Sequence, residues 1–341
     1  MDELKDWLKR HWPTVRVALL EGRVLPQAVR GVEIAKPAGG SRLLGIPTGV
    51  DRLIQPAMLQ VMGPLYDPHF SESSYGFRPG KNAHQTVRAA HAYVQSGKRW
   101  VVDIDLEKFF DRVNHDLLMS KVAYRVKDER VLKLIRRYLE AGVMAAGLTT
   151  QHTRGTPQGG PISPLLSNSL LDALDRELER RGHSFCRYAD DCNVSVASKV
   201  AAEHAMVEIT KFLKERLTLD VKRAKSGWER KFLGYSFTSQ QQAKLKIAAS
   251  SVKRLRATVR ECCHVGRGRR ITTTVNEINL KLRGWKSYFR LPEVKGVLEE
   301  LDGWIRRKLR GLHWRQWQRS AARGRLRPMG AVPGGMRARA T

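Results

Sequence analysis

Three aspartates stand where carboxylates could act together. Asp190 and Asp191 are adjacent within Phe185-Cys186-Arg187-Tyr188-Ala189-Asp190-Asp191-Cys192-Asn193-Val194-Ser195-Val196, and Asp105 closes Arg99-Trp100-Val101-Val102-Asp103-Ile104-Asp105. Asp and Asn are disfavoured inside strands and common in turns, so the Asp pair marks the tip of a hairpin between two short strand-like runs. Adjacent like charges repel, so such a pair is either fully solvated or neutralised by a cation. Solvation is the ordinary outcome for an isolated Asp-Asp. Apolar flanks, a basic excess elsewhere and a second acidic strand end upstream weigh toward the cation. If the two strands are neighbours in one sheet, the three carboxylates converge. Such a cluster binds Mg²⁺, a hard cation that takes oxygen ligands and bridges to substrate phosphates. Two ions about 4 Å apart can activate an attacking hydroxyl and stabilise a leaving pyrophosphate. Spacing alone leaves the convergence open, and Asp103 competes with Asp105 for the upstream place.

The elements that would position these residues can be read in chain order. Residues 1–30 are helical by the recurrence of Trp7, Leu8, His11, Trp12, Val15, Ala18 and Leu19, with Pro26 as the stop. Val32 to Pro47 reads as a hairpin around Pro37-Ala38-Gly39-Gly40, which brings Lys36 and Arg42 into one neighbourhood. Helices are expected over 51–66, from Asn82 to about Ser96, after Phe109-Phe110, over 128–140, over 164–181 and over 200–216. Arg99–Asp105, apolar nearly throughout, reads as a buried central strand. Thr156-Pro157-Gln158-Gly159-Gly160-Pro161 is a breaker-rich loop. Short strands are expected at Leu217–Val221 and Phe232–Phe237. The stretch from Arg323 to Thr341, rich in Gly, Arg, Pro and Ala, reads as a disordered basic tail.

Composition narrows the partner. The chain has 341 residues and a formal net charge of +29, a field that points to a polyanion. Nucleic acid is the first choice. A membrane is disfavoured, because no apolar run reaches about 18 residues and Met1-Asp2-Glu3-Leu4-Lys5-Asp6 is unlike a signal peptide. Cys186, Cys192, Cys262 and Cys263 form no Cys-x-x-Cys pair, which leaves a reducing, cytoplasmic setting without structural zinc. Residues 251–341 carry 23 Lys/Arg against 6 Asp/Glu, with Trp285, Tyr288, Phe289, Trp304, Trp314 and Trp317 interleaved. Cations meet phosphates and rings stack on unpaired bases, so this region suits RNA. The same tryptophans, with Leu309 and Leu312, could equally form the core of a helical bundle.

Tyr188-Ala189-Asp190-Asp191 resembles the catalytic motif of reverse transcriptases. Further blocks resemble bacterial group II intron-encoded reverse transcriptase/maturases: Leu44-Gly45-Ile46-Pro47-Thr48 with Asp51-Arg52, Ser71–Gly80, Asp105–Asp111, Gly155–Leu166, Phe232-Leu233-Gly234-Tyr235, and Leu282–Arg290. The similarity runs in consistent order over roughly residues 5–319. It implies an α+β right-hand polymerase. An N-terminal helical extension (1–30) would precede fingers and palm (31–230), a thumb/maturase-specific region (231–319) and a tail (320–341).

The resemblance also implies residue roles. Asp105, Asp190 and Asp191 would be catalytic and would bind two Mg²⁺ ions. The Asp-x-x-x-Phe-Phe-Asp match favours Asp105 over Asp103. Phe109 would be the steric gate under the sugar, with Phe110 the core ring of the pair. Lys36 and Arg42 would grip the triphosphate, Gln158 would line the nucleotide pocket, and Lys225 would neutralise pyrophosphate. Arg283, Trp285, Tyr288, Arg290, Arg306 and Arg307 would contact RNA. The implied partners are group II intron RNA, an RNA template with a DNA primer, dNTPs and target DNA, in a bacterial cytoplasm with nucleoid association during mobility. Two departures from the family pattern are expected: a shortened leader before the Trp7–Trp12 helix, and a C-terminus after Arg319 unlike closing thumb helices. The rival readings are an RNA-binding maturase with a spent polymerase, and a domesticated reverse transcriptase serving phage defence.

Overall fold

The computed structural model describes residues 2–35, 40–106, 109–145, 148–150, 155, 159–221, 225–227, 231–240 and 242–325, with the side chains of 2–4, 42, 145, 148–150, 225–227 and 319–325 left aside. Two compact units divide the chain, Met1–Arg230 and Lys231–Thr341.

The first unit opens with helix α1 (Asp2–Leu20), which ends before Pro26. Strands β1 (Val29–Ala35) and β2 (Ser41–Ile46) form the expected antiparallel hairpin, with Ile34 opposite Arg42. Helix α2 (Asp51–Tyr66) follows, then α3 (Ala83–Gln95), whose start is fixed by a reciprocal capping box between Asn82 and Gln85. Strand β3 (Trp100–Asp105) leads into the short α4 (Phe109–Arg112), α5 (His115–Arg125) and α6 (Glu129–Glu140). Strands β4 (Val143–Ala145) and β5 (Leu148–Thr150) have no counterpart in the sequence reading. Strand β4 pairs with β1 in parallel and completes a sheet of order β2-β1-β4-β5.

Helix α7 (Ser163–Arg180) is the core of this unit: Leu165, Leu166, Leu170, Leu171, Leu174 and Leu178 are all buried. They sit in one cluster with Val102 and Ile104 from the inner face of β3. Next come β6 (Ser184–Tyr188), β7 (Asp191–Val196), α8 (Lys199–Leu217) and β8 (Lys225–Gly227). The second sheet is antiparallel throughout, in the order β6-β7-β3-β8. Its fourth strand corrects the sequence reading. Leu217 ends α8 and Thr218 caps it at φ +53, so 217–221 contributes only a single bridge, Leu106 with Val221. The ladder is made by Lys225–Gly227, with Lys225 opposite Asp103. Helical hydrogen bonds already satisfy Leu217, and a left-handed residue next to it cannot continue into a strand.

In the second unit Phe232-Leu233-Gly234 is a tight turn rather than strand, with reciprocal backbone bonds between Phe232 and Tyr235. The pairing begins at β9 (Tyr235–Phe237) against β10 (Leu245–Ile247). Helices α9 (Ala249–Val265), α10 (Ile271–Tyr288) and α11 (Gly296–Arg325) pack around Leu255, Val259, Ile278, Leu301 and Ile305. Helix α11 runs past residue 320, where the sequence reading had begun the tail; residues 326–341 lie outside the described residues.

Candidate active site

Strand register brings the acids together. Residues opposite each other in an antiparallel pair project to the same face, with Cβ atoms roughly 5 Å apart. Asp105 is opposite Asp191, and Asp103 is opposite Asn193, so all four lie on one face at the end of β3 and β7. Val102 and Ile104, on the opposite face, are buried in the core. Alternation therefore turns Asp105 and Asp191 to water; both are exposed. Tyr188 is opposite Asp191, which leaves Ala189 and Asp190 as a two-residue turn. Such turns need a left-handed residue at their first position, and Ala189 supplies it at φ +58.

Of the three carboxylates expected to converge, strand register brings together Asp105 and Asp191, and Asp190 stands on the adjoining turn. Asp190 lies beyond the last paired residues, so strand register does not set its side chain. Among the described residues no three of His, Cys, Asp and Glu are grouped closely enough to hold an ion by themselves. The donor chemistry still fits a hard divalent cation, which accepts one or two protein carboxylates and fills its shell with water and substrate phosphate. The buried thiols nearby are kept protonated: burial pushes Cys186 up to about 12 and raises Cys192 as well.

The phenylalanine pair is buried in the opposite sense to that expected. Phe109 is 2% exposed and belongs to the core cluster, whereas Phe110 is half-buried and meets it edge-on at 5.2 Å. Phe109 opens α4 facing the core, and the next helical residue turns about 100° away, following 3.6 residues per turn. A fully buried ring cannot lie under a sugar, so Phe110 is the ring of the two with accessible surface.

The nucleotide-side residues are only partly in view. Lys36 and Gln158 fall outside the described residues, and of Arg42 and Lys225 only the backbone positions on β2 and β8 are described. Gly159 has φ +115, and a Cβ there would stand 2.6 Å from the Gly45 carbonyl oxygen. Gly159 thus lies directly on the end of β2, an approach only glycine allows. That end is itself anchored: Asp51 accepts from the Thr48 hydroxyl at 2.6 Å and from the Tyr138 hydroxyl at 3.1 Å.

Sequence reasoning missed a buried cation beneath the acids. Arg187 is fully buried and forms a two-bond ion pair with Asp175 of α7, Nε to Oδ1 at 2.7 Å and Nη2 to Oδ2 at 2.6 Å. Burial opposes its charge, but the Asp175 carboxylate more than offsets this and raises its pKa. A lone Arg in a strand carries no such signal in sequence.

The expected RNA contacts of the second unit divide. Trp285 packs against Phe289 at 4.7 Å, and the Tyr288 hydroxyl donates to the Leu233 carbonyl at 2.8 Å. Both rings pack within the unit and stay half-buried. Arg283, Arg290, Arg306 and Arg307 are exposed, Arg306 pairing with Asp302 at 2.9 Å. Trp304 packs in the helical core, while Trp314 and Trp317 are exposed and adjacent, 5.3 Å apart. Between α9 and α11 lies a cleft of about 520 Å³ lined by Arg260, His264, Arg267, Arg307, Lys308 and Arg315, with Glu261 its one acid.

Residues 34–237 match the reverse transcriptase (RNA-dependent DNA polymerase) family. The chain belongs to the reverse transcriptase family. Residues 252–330 match the group II intron maturase-specific domain, so this reverse transcriptase is of the group II intron reverse transcriptase/maturase kind. That match continues past Arg319 and corrects the expectation of an unlike C-terminus. The chain is 40% identical over 171 residues to protein YkfC of Escherichia coli K12, covering 49% of this chain and 45% of YkfC. It is 37% identical over 160 residues to the group II intron-encoded protein LtrA of Lactococcus lactis subsp. cremoris, covering 47% of this chain and 26% of LtrA. The chain therefore spans less than half the length of either relative. A structure of Candida albicans telomerase superposes with a TM-score of 0.50 at 12% identity, over 85% of this chain and 60% of that one, a likeness of fold. The fold class is the expected α+β polymerase fold. No helix among the described residues is long and apolar enough to cross a membrane.

Proposed function

We propose that this chain is an RNA-directed DNA polymerase of the group II intron type that also assists the folding and splicing of intron RNA. The observation that carries the reading is the Asp105–Asp191 register on a water-facing strand end, with Asp190 on the adjoining turn. The reaction is attack of a primer 3′-hydroxyl on the α-phosphate of a dNTP opposite an RNA template, with pyrophosphate leaving. Asp105, Asp190 and Asp191 would hold Mg²⁺, which supplies charge neutralisation at the phosphates and a more acidic 3′-hydroxyl. The β1–β2 hairpin carries Lys36 and Arg42 toward the triphosphate, whose charge their side chains match. Gln158 lines the nucleotide pocket, Lys225 stands near the leaving pyrophosphate, and Phe110 takes the place of the gate against a 2′-hydroxyl. Intron RNA and target DNA meet the basic second unit, in a bacterial cytoplasm.

Purified protein with Mg²⁺ should extend a DNA primer on an RNA template with dNTPs, and Asp190→Asn should abolish extension without loss of fold. Wild-type protein that binds a group II intron tightly yet extends no primer would replace this reading with that of an RNA-binding maturase.

A further inference from the structure

The guanidinium of Arg187 has five N–H donors, and each has its own acceptor. Nε and one Nη2 hydrogen meet Asp175, and the second Nη2 hydrogen meets the Ser74 hydroxyl at 2.7 Å. The Nη1 hydrogens go to Asn168 Oδ1 and to the carbonyl of Ala189, both at 2.9 Å. Ala189 is the left-handed residue of the turn that carries Asp190. Arg187, Asp175, Ser74 and Asn168 are all buried, at 0%, 0%, 0% and 1% exposure. In such an interior, ion pairs that only add stability can often be replaced by apolar side chains, so a complete charged network is better explained by what it orients.

The network reaches the turn from a second side. The Arg187 amide donates to Ser73 and its carbonyl accepts from Tyr75, both at 2.9 Å, so the loop over 71–80 runs along the open edge of β6. Asn168 Nδ2 donates to the Gly76 carbonyl at 2.9 Å. A Cβ on Gly76 would fall 2.2 Å from the Ala189 amide nitrogen, so the loop lies flat on the back of the turn. The turn is thereby held between a buried cation and a backbone wall.

We propose that Arg187, with Asn168 and Ser74, is a positioning network that fixes the strained Ala189 turn so that Asp190 and Asp191 present their carboxylates to a divalent cation beside Asp105. This rests on the polymerase reading above, and it gives the residues under the acids a role in metal response as well as in folding. A left-handed alanine is unfavourable by itself, so without the carbonyl anchor the turn relaxes and the acids move with it.

The test uses Arg187→Lys, Asn168→Ala and Ser74→Ala in the full chain, each checked for thermal unfolding. Two readouts follow: Mn²⁺ binding by electron paramagnetic resonance without nucleotide, and extension kinetics across a Mg²⁺ titration. Folded Asn168→Ala should bind Mn²⁺ several-fold more weakly and need several-fold more Mg²⁺ for half-maximal rate. Its kcat should fall about ten- to a hundredfold, the scale of a misplacement of up to 1 Å, while the KM for dNTP stays near the wild-type value. Ser74→Ala should show the same pattern more weakly. If Arg187→Lys fails to fold, Asn168→Ala and Ser74→Ala decide. Folded variants with wild-type Mn²⁺ affinity and Mg²⁺ response would overturn the proposal and leave a purely structural network. Wild-type protein that binds Mn²⁺ but extends no primer would instead overturn the polymerase reading, and the Mn²⁺ comparison among variants would still stand.

Discussion

Phe109 and Phe110 differ by one position in sequence and by most of their exposure in the structure. Two consequences separate them. Phe109→Ala empties a packed core site and should lower stability by about 3–5 kcal/mol in urea unfolding. Phe110→Ala should cost less stability than Phe109→Ala and raise the incorporation of ribonucleotides relative to dNTPs. The reverse outcome would return the gate to Phe109. Asp172 on α7 makes a different residue-scale point. Its Oδ1 is buried without a hydrogen-bond partner, and desolvation raises its pKa despite Arg176 3.7 Å away. A carboxylate whose folded pKa is raised binds its proton earlier in the folded state than in the unfolded one, so its ionisation at neutral pH costs stability. Asp172→Asn should therefore stabilise the protein at pH 7. The gain should shrink as pH falls through the raised folded pKa toward the ordinary carboxylate range near 4, and thermal melts across that range measure it.

At the scale of elements, the site depends on two close approaches: β3 to β7, and the Gly159 loop to the end of β2. In sequence β3 reads as a buried central strand, but in the sheet period-2 alternation puts Val102 and Ile104 on the core face and Asp103 and Asp105 on the other. The partner of β3 was not legible. Register with β7 and the choice of Lys225–Gly227 over 217–221 as the fourth strand depend on which chain segments meet across the sheet. The Gly159 approach gives a direct test. Gly159→Ala adds a Cβ at φ +115 and 2.6 Å from the Gly45 carbonyl. It should raise the KM for dNTP several-fold and cost about 1–2 kcal/mol of stability, the scale for an L-residue forced into a left-handed conformation. An unchanged KM would separate this loop from the nucleotide pocket.

At the scale of the whole molecule, the net charge of +29 acts as a field that any polyanion meets before it meets a particular residue. RNA affinity should fall steeply with salt, because each phosphate contacted releases counterions. The α9–α11 cleft concentrates this charge: Arg307, Lys308 and Arg315 line it from α11, Arg260 and Arg267 from the α9 side. Replacing Arg307, Lys308 and Arg315 with Glu should reduce the slope of log affinity against log salt by about two, at roughly 0.7 per single-stranded phosphate contact. The KM for dNTP should not move. Filter binding to intron RNA over a salt series checks the slope, and an unchanged slope would place the RNA contacts elsewhere on this basic surface.

By itself the sequence determined the kind of chemistry and the kind of partner. Carboxylates at strand ends call for a hard cation, a strong basic excess calls for a polyanion, and ordered motif blocks tie both to one family. Local periodicity also set most helices, since α2, α3, α6, α7 and α8 begin and end close to where apolar spacing and caps place them. Tertiary structure alone decided which residues share a site. The register of Asp105 with Asp191, the burial of Phe109 rather than Phe110, the bond from Tyr288 to Leu233, and the bonds of Arg187 to Asp175, Asn168 and Ser74 depend on segments separated in the chain. Spacing along a chain reports a residue's own element and face. It does not report the element packed against that face, and there the acids of this chain acquire their neighbours.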